Sequence, residues 1–187
     1  MIQNIIREKP TFEWDVPKKI FLKENVISEE LCNHLIEYGE KNVIKGTNKY
    51  SKFFSVDFES CLLPLTHEVH NVLQATLKEI VDFYQFTIDF FEPYELKRYN
   101  QNCHFGRHID NYYGLNIDLD RKITISIQLN NYDIDFKGGE LVVFDKSFKI
   151  NRCSIIAFPS FFSHEVKHIR EGTRWSLINW AWGPYWK

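Results

Sequence analysis

Two textures of apolar and polar positions divide this chain near residue 85. Before it, the spacing is helical. Ser28-Glu29-Glu30-Leu31 offers a side-chain cap and an acidic first turn, and Leu31, Leu35, Ile36 and Tyr38 continue on one side. A second helix is predicted from Leu65 to about Phe83. Pro64 stands before it, and Val69, Val72, Leu73, Leu77, Ile80 and Val81 supply its stripe. Residues 1–19, with Pro10 and Pro17, read as extended. After Phe86 the pattern shortens to β-rich segments: Thr87–Tyr99, Lys122–Leu129, Glu140–Phe144, Ser154–Phe158, Ser163–His168 and Thr173–Ala181. Gly138-Gly139, Asn130-Asn131 and Glu171-Gly172-Thr173 punctuate them. Short strands so closely spaced favour a sandwich, barrel or jelly roll. The predicted class is therefore α+β, a helical N-terminal layer supporting a rolled antiparallel sheet.

Composition narrows this picture. The 187 residues carry no repeat, low-complexity tract or Gly/Ser linker, which predicts one domain over 1–187, with helical support to about 85 and a core over about 86–182. A net charge of −2 gives no general attraction to nucleic acid or an anionic membrane. No apolar run approaches the roughly 20 residues that span a bilayer, and the first nine residues lack the features of a signal peptide. Cys32, Cys61, Cys103 and Cys153 form no Cys-x-x-Cys pair and read as reduced thiols, so the expected compartment is the cytoplasm.

The candidate chemistry centres on His108-Ile109-Asp110, His164 and Arg174. Two imidazoles and one carboxylate are the ligand set that holds non-haem Fe(II) on one face of an octahedron. In an extended segment, His108 and Asp110 share a face. Gly106 and Asn111 beside them suggest a strand end or loop. Arg174 begins an alternating run in which Arg174, Ser176, Ile178 and Trp180 share a face. An inward arginine needs an anion, and its planar fork suits a carboxylate. Each residue also has a plainer reading: a capping role for the His-x-Asp triplet, a core histidine at 164, a surface pair from Arg174 to Glu171 or Glu165. On Ile123–Leu129, the isoleucines and leucine face one way and Thr124, Ser126 and Gln128 the other. That polar face either lines a cavity or meets solvent. His67 and His70, three apart on the second helix, suit a surface metal or a solvated helix face.

Taken in order, residues 85–182 resemble the Fe(II)/2-oxoglutarate-dependent oxygenases, in their prolyl 4-hydroxylase-like branch. Tyr99 looks like the family tyrosine of the co-substrate pocket, and His108, Asp110 and His164 match the iron ligands. Gly138-Gly139-Glu140-Leu141 is similar to a family turn into a strand. Arg174 stands where a basic residue binds the distal carboxylate of 2-oxoglutarate, and Trp180 matches a family tryptophan. The segment Phe21–Ser28 resembles the lead-in to the first support helix. Gln128 stands where relatives often carry a tyrosine, and Asn100-Gln101-Asn102-Cys103 replaces a glycine-rich turn.

The resemblance implies a double-stranded β-helix, a cupin-like jelly roll. It implies Fe(II), 2-oxoglutarate and O2, with ascorbate as an accessory reductant. His108, Asp110, His164 and Arg174 would be the catalytic set, and Tyr99, Thr124, Gln128 and Trp180 would join Arg174 around the co-substrate. The implied reaction is hydroxylation of a C–H bond, foremost in a prolyl residue of a peptide or protein, with a small molecule or another side chain as the alternative. Asn111–Asp120 resembles the family's substrate-covering loop. Three competing readings remain at this stage. One is nucleobase repair on the same fold, although Trp180 occupies the place of that branch's second arginine. Another is a non-catalytic jelly-roll binding module. The last is a zinc protease through His164-Glu165-Val166-Lys167-His168, which requires both histidines on one helical face.

Overall fold

The computed structural model describes residues 16–45, 56–111 and 118–185. Its first half contains β1 (Phe21–Lys23), α1 (Glu29–Asn42), β2 (Ile44–Lys45), β3 (Val56–Asp57), β4 (Glu59–Leu62), α2 (Val69–Val72) and α3 (Gln74–Tyr84). Then come β5 (Phe90–Phe91), β6 (Glu95–Tyr99), β7 (His104–His108), β8 (Leu119–Gln128) and β9 (Phe136–Gly138). The remainder is β10 (Leu141–Val143), β11 (Lys146–Phe148), β12 (Ile155–Pro159), β13 (His164–Val166), β14 (Ile169–Gly172) and β15 (Arg174–Pro184). The larger sheet runs β1-β12-β8-β15-β6-β4-β2, with β5 also paired to β15; the smaller runs β11-β10-β13-β7-β3. These two sheets are the halves of a double-stranded β-helix, and the helices pack on the outside of the larger one.

Strand β8 shows how one sequence pattern serves two layers. Ile123, Ile125, Ile127 and Leu129 are buried in the cluster shared with Leu31, Leu35, Leu73 and Leu77 of the helical layer. The alternate residues Thr124, Ser126 and Gln128 are also buried, at 3%, 5% and 2% exposure, so this polar face does not meet solvent. It looks between the sheets, where a second cluster gathers Phe136, Leu141, Val143, Phe158, Phe162 and Ile169.

Helix α1 begins as its sequence suggests: Ser28 Oγ accepts the Leu31 N–H, satisfying a donor that the first turn leaves free. It approaches the sheet through Gly39, where a Cβ would stand 2.4 Å from Cζ3 of Trp175 and 2.6 Å from Cδ2 of Leu96. Alanine's helix propensity would favour Gly39→Ala by about 1 kcal/mol, but overpacking against a rigid buried ring costs about 1–3 kcal/mol. The expected result is net destabilisation, read as a lower urea midpoint at unchanged slope.

Several predicted boundaries shift. The helix predicted from Leu65 is divided at Leu73, which ends α2 and precedes α3, and Leu65 and Val72 are exposed. Only Val69, Leu73, Leu77 and Ile80 form the buried stripe. The predicted strand Thr87–Tyr99 is interrupted at Pro93, which has no N–H for a ladder; β5 and β6 pair with opposite ends of β15. Within the stretch predicted as extended, Val16–Lys19 is a 3-10 turn, while residues 1–15 lie outside the described residues. No helix of the described residues is long and apolar enough to cross a membrane.

Candidate metal centre and cavity

His108 ends β7 and His164 begins β13, and these antiparallel strands pair the two residues directly. Their rings lie 4.2 Å apart between centroids. Asp110 follows β7 by two residues, and its N–H donates to Ser160 O at 2.9 Å, tying the turn to the end of β12. The ligating atoms of His108, Asp110 and His164 lie within 4.8 Å of one another, and all three residues are buried. Nε2 of each imidazole is 3.4 Å from an Asp110 oxygen.

Hydrogen bonding sets each donor's state. His108 Nδ1 lies 2.8 Å from Gly106 O, and His164 Nδ1 lies 2.9 Å from Phe162 O. A carbonyl only accepts, so each Nδ1 carries the proton, and in the neutral imidazole Nε2 presents its lone pair to the shared space. Burial lowers His164 to about 4, helped by neighbouring His108 and opposed by Asp110, so this imidazole is neutral at physiological pH. Burial alone would raise the Asp110 carboxyl; His164, His108 and the Trp180 N–H outweigh it and hold the group well below its usual range. Asp110 Oδ2 accepts from Thr124 Oγ1 at 2.7 Å and Trp180 Nε1 at 2.9 Å. Two imidazoles and an oriented carboxylate suit Fe(II).

The triad opens into a cavity of about 420 Å³, counting its open mouth. Arg174, the first residue of β15, lines its other end and pairs in register with Tyr99. Its guanidinium donates to Ser176 Oγ at 3.2 Å and stands 5.5 Å from the Tyr99 ring centre. No carboxylate pairs with it among the described residues, although it is only 3% exposed. Glu165 is taken by Arg107 and Lys167, and Glu171 by Lys137. Burial accordingly lowers the Arg174 pKa. Gly139, at φ +65°, lets the turn pass close behind this arginine: a Cβ there would be 3.1 Å from Arg174 Cδ and 2.3 Å from Ile169 Cδ1.

The other sequence-derived residues divide. Tyr99 and Thr124 line the cavity, and Trp180 both lines it and holds Asp110. Gln128 does not line it; its Nε2 contacts Asn130 Oδ1 and the carbonyls of Asn130 and Trp175 within 3.2 Å, so it braces a strand end. His67 and His70 pack on the rings of Tyr38 and Tyr94. Asn111 Nδ2 bonds Asp120 Oδ2 at 2.8 Å, joining the two ends of the proposed covering loop; residues 112–117 lie outside the described residues.

Sequence reasoning missed Lys97, which lines the cavity at 5% exposure. The signal was available. On a strand, residues two apart share a face, so placing Tyr99 at the pocket places Lys97 there too. Burial opposes its charge, but Glu95, Tyr99 and Asp110 outweigh that and raise its pKa.

The zinc-protease reading falls on backbone geometry. His164–Val166 and Ile169–Gly172 are strands, not a helix. His168 leaves the triad and stacks on His104, with centroids 4.0 Å apart.

A double-stranded β-helix with a buried His-Asp-His cluster between its sheets defines the class: a jelly roll with a candidate metal site. Residues 94–182 match the sequence profile of the 2OG-Fe(II) oxygenase superfamily. A PKHD-type hydroxylase of Prochlorococcus marinus strain MIT 9515 is 37% identical over 84 residues, which are 43% of this chain and 37% of that protein. The chain thus spans well under half the length of the curated relatives it matches. Among solved structures, the viral collagen prolyl hydroxylase of Paramecium bursaria Chlorella virus-1, in its 2OG complex, superposes with a TM-score of 0.73 at 18% identity. That match covers 91% of this chain and 99% of that one. A Trichoplax adhaerens prolyl hydroxylase, solved with a hypoxia-inducible-factor peptide fragment, gives 0.66 at 17% identity, covering 88% and 83%. Residues 94–182 are thus similar in sequence to the 2OG-Fe(II) oxygenase superfamily, and the fold is shared with solved prolyl hydroxylases.

Proposed function

We propose that this protein is an Fe(II)- and 2-oxoglutarate-dependent dioxygenase that hydroxylates a C–H bond, foremost in a prolyl residue of a peptide or protein. One observation carries the reading: a buried His108-Asp110-His164 cluster and a buried arginine without a carboxylate partner share one cavity. Iron, 2-oxoglutarate and O2 together supply the oxidant, with succinate and CO2 as the other products. The chain's part is geometry and solvent exclusion. His108, Asp110 and His164 hold the metal, while Thr124 and Trp180 fix the carboxylate's orientation through two hydrogen bonds. Arg174 binds the distal carboxylate with a charge-assisted fork beside the Ser176 hydroxyl. Phe158, Leu141 and Val166 keep this space apolar, which strengthens every charge interaction inside it.

The domain proposed is the single unit 1–187. None of its four cysteines forms a disulfide among the described residues, which supports a reducing, cytoplasmic setting. The prolyl target is supported by the prolyl hydroxylases that share the fold. The test is succinate release from 2-oxoglutarate with Fe(II) and O2, with a proline-containing peptide and its alanine counterpart. Stimulation by the first alone is expected. Equal stimulation by both would move the target to another side chain, and succinate without any peptide dependence would favour a small molecule. His168→Ala is expected to leave metal affinity within about twofold, because that ring lies outside the cluster, and calorimetric titration would read this directly.

A further inference from the structure

Lys97 is a buried lysine that the triad and Arg174 leave without a role. Its ammonium lies 4.5 Å from the Phe58 ring centre and 5.4 Å from those of Phe105 and Trp180. Among the described residues, the one carboxylate paired with it is Glu95, at 3.4 Å; the ion pairs of Arg98, Arg107 and Arg121 are at 2.5–2.8 Å. An ammonium has three donors and accepts nothing. Aromatic faces attract a cation but do not accept a directed hydrogen bond as an oxygen does. A lysine held at 5% exposure with one long contact is therefore short of acceptors.

Register places the shortfall. Tyr99 pairs with Arg174, and Lys97 pairs with Ser176, two positions further along β15 toward Trp180 and Asp110. Lys97 is thus rooted between the arginine end of the cavity and the metal end. We propose that Lys97 is a second carboxylate-binding residue of this cavity, holding a carboxylate beside the metal triad while Arg174 holds one at the far end. The proposal rests on the reading of the cavity given above. Two molecules could bring that carboxylate: the co-substrate, through its metal-side group, or a main substrate bearing its own acid group near the reacting carbon.

Calorimetry on the Zn(II)-loaded protein separates these sources without turnover. The probes are 2-oxoglutarate, 2-oxopentanoate (the same acid without its distal carboxylate), and N-acetylproline against N-acetylprolinamide. The variants are Lys97→Met, Lys97→Gln, Lys97→Arg and Arg174→Met. If the co-substrate is the source, Lys97→Met and Lys97→Gln weaken both 2-oxo acids tenfold or more. If the main substrate is the source, 2-oxoglutarate binding stays within about twofold and the advantage of N-acetylproline over its amide disappears. Lys97→Arg keeps the charge and is expected to retain most of either affinity, which a packing role would not require. The neutral variants differ in shape, so a folding failure in one leaves the other to decide. All probes binding within twofold of wild type in a folded neutral variant would overturn the proposal. Weakened 2-oxoglutarate in Arg174→Met alone would then leave the parent reading standing; no weakening there either would remove that reading as well.

Discussion

Asp110→Ala is expected to lower Fe(II) affinity at least about 100-fold and to abolish 2-oxoglutarate turnover. The carboxylate is the only anionic donor in the cluster, so its loss leaves a dication facing two imidazoles alone. Loss of a supporting residue around a metal site commonly costs 10–100-fold, and loss of the charged ligand itself should exceed that. The substitution also strands the Trp180 N–H, which donates to Asp110 Oδ2, whereas the Thr124 hydroxyl can turn to Ser160 Oγ at 3.1 Å. Asp110→Asn is the informative companion. Its amide oxygen can still accept from both donors, so the fold is expected to hold while the metal is lost. Dialysis followed by metal analysis would check it. Retention of stoichiometric iron by both variants would place the metal elsewhere.

Arg174→Met is expected to act in opposite directions on binding and stability. An unpaired buried guanidinium is costly in the free protein, and here its bonded partner is a serine hydroxyl with the Tyr99 ring nearby. Methionine of similar length removes that cost, so the ligand-free protein should unfold at a higher urea concentration, with a gain of about 1–3 kcal/mol. Its 2-oxoglutarate affinity should fall about 100-fold, because a charge-assisted bidentate contact in an apolar space has been removed. Stability lost together with affinity would make Arg174 a structural residue and remove the co-substrate anchor.

The parts of this molecule governed by alternation were readable from its sequence. Thr124 and Ser126 opposite Ile123, Ile125 and Ile127, and Arg174 on the face of Ser176, Ile178 and Trp180, follow from period-two strand geometry alone. What alternation cannot supply is which strand lies beside which. The pairing of His164 with His108 across β13 and β7 is a non-local contact between segments more than fifty residues apart. Its register is set by turns and packing that no single segment encodes. Strand β7 itself was obscured by Gly106, a residue depleted in strands, and by polar His104 and Arg107, which break the apolar alternation. Gln128 failed for a related reason. Facing the interior is a property of the strand, but reaching the cavity depends on depth, and Asn130 and Trp175 take up its amide first. Lys97 shows the converse, since its face was legible from Tyr99 but a lysine is rarely expected inside.

The central claim is that His108, Asp110 and His164 hold iron in the same cavity where Arg174 holds 2-oxoglutarate. Anaerobic titration with Fe(II) and 2-oxoglutarate, followed by visible absorption, tests both halves at once. A weak charge-transfer band is expected in the wild-type protein, absent in Asp110→Ala and requiring far more 2-oxoglutarate in Arg174→Met. A band of full strength at wild-type concentrations in both variants would contradict the site.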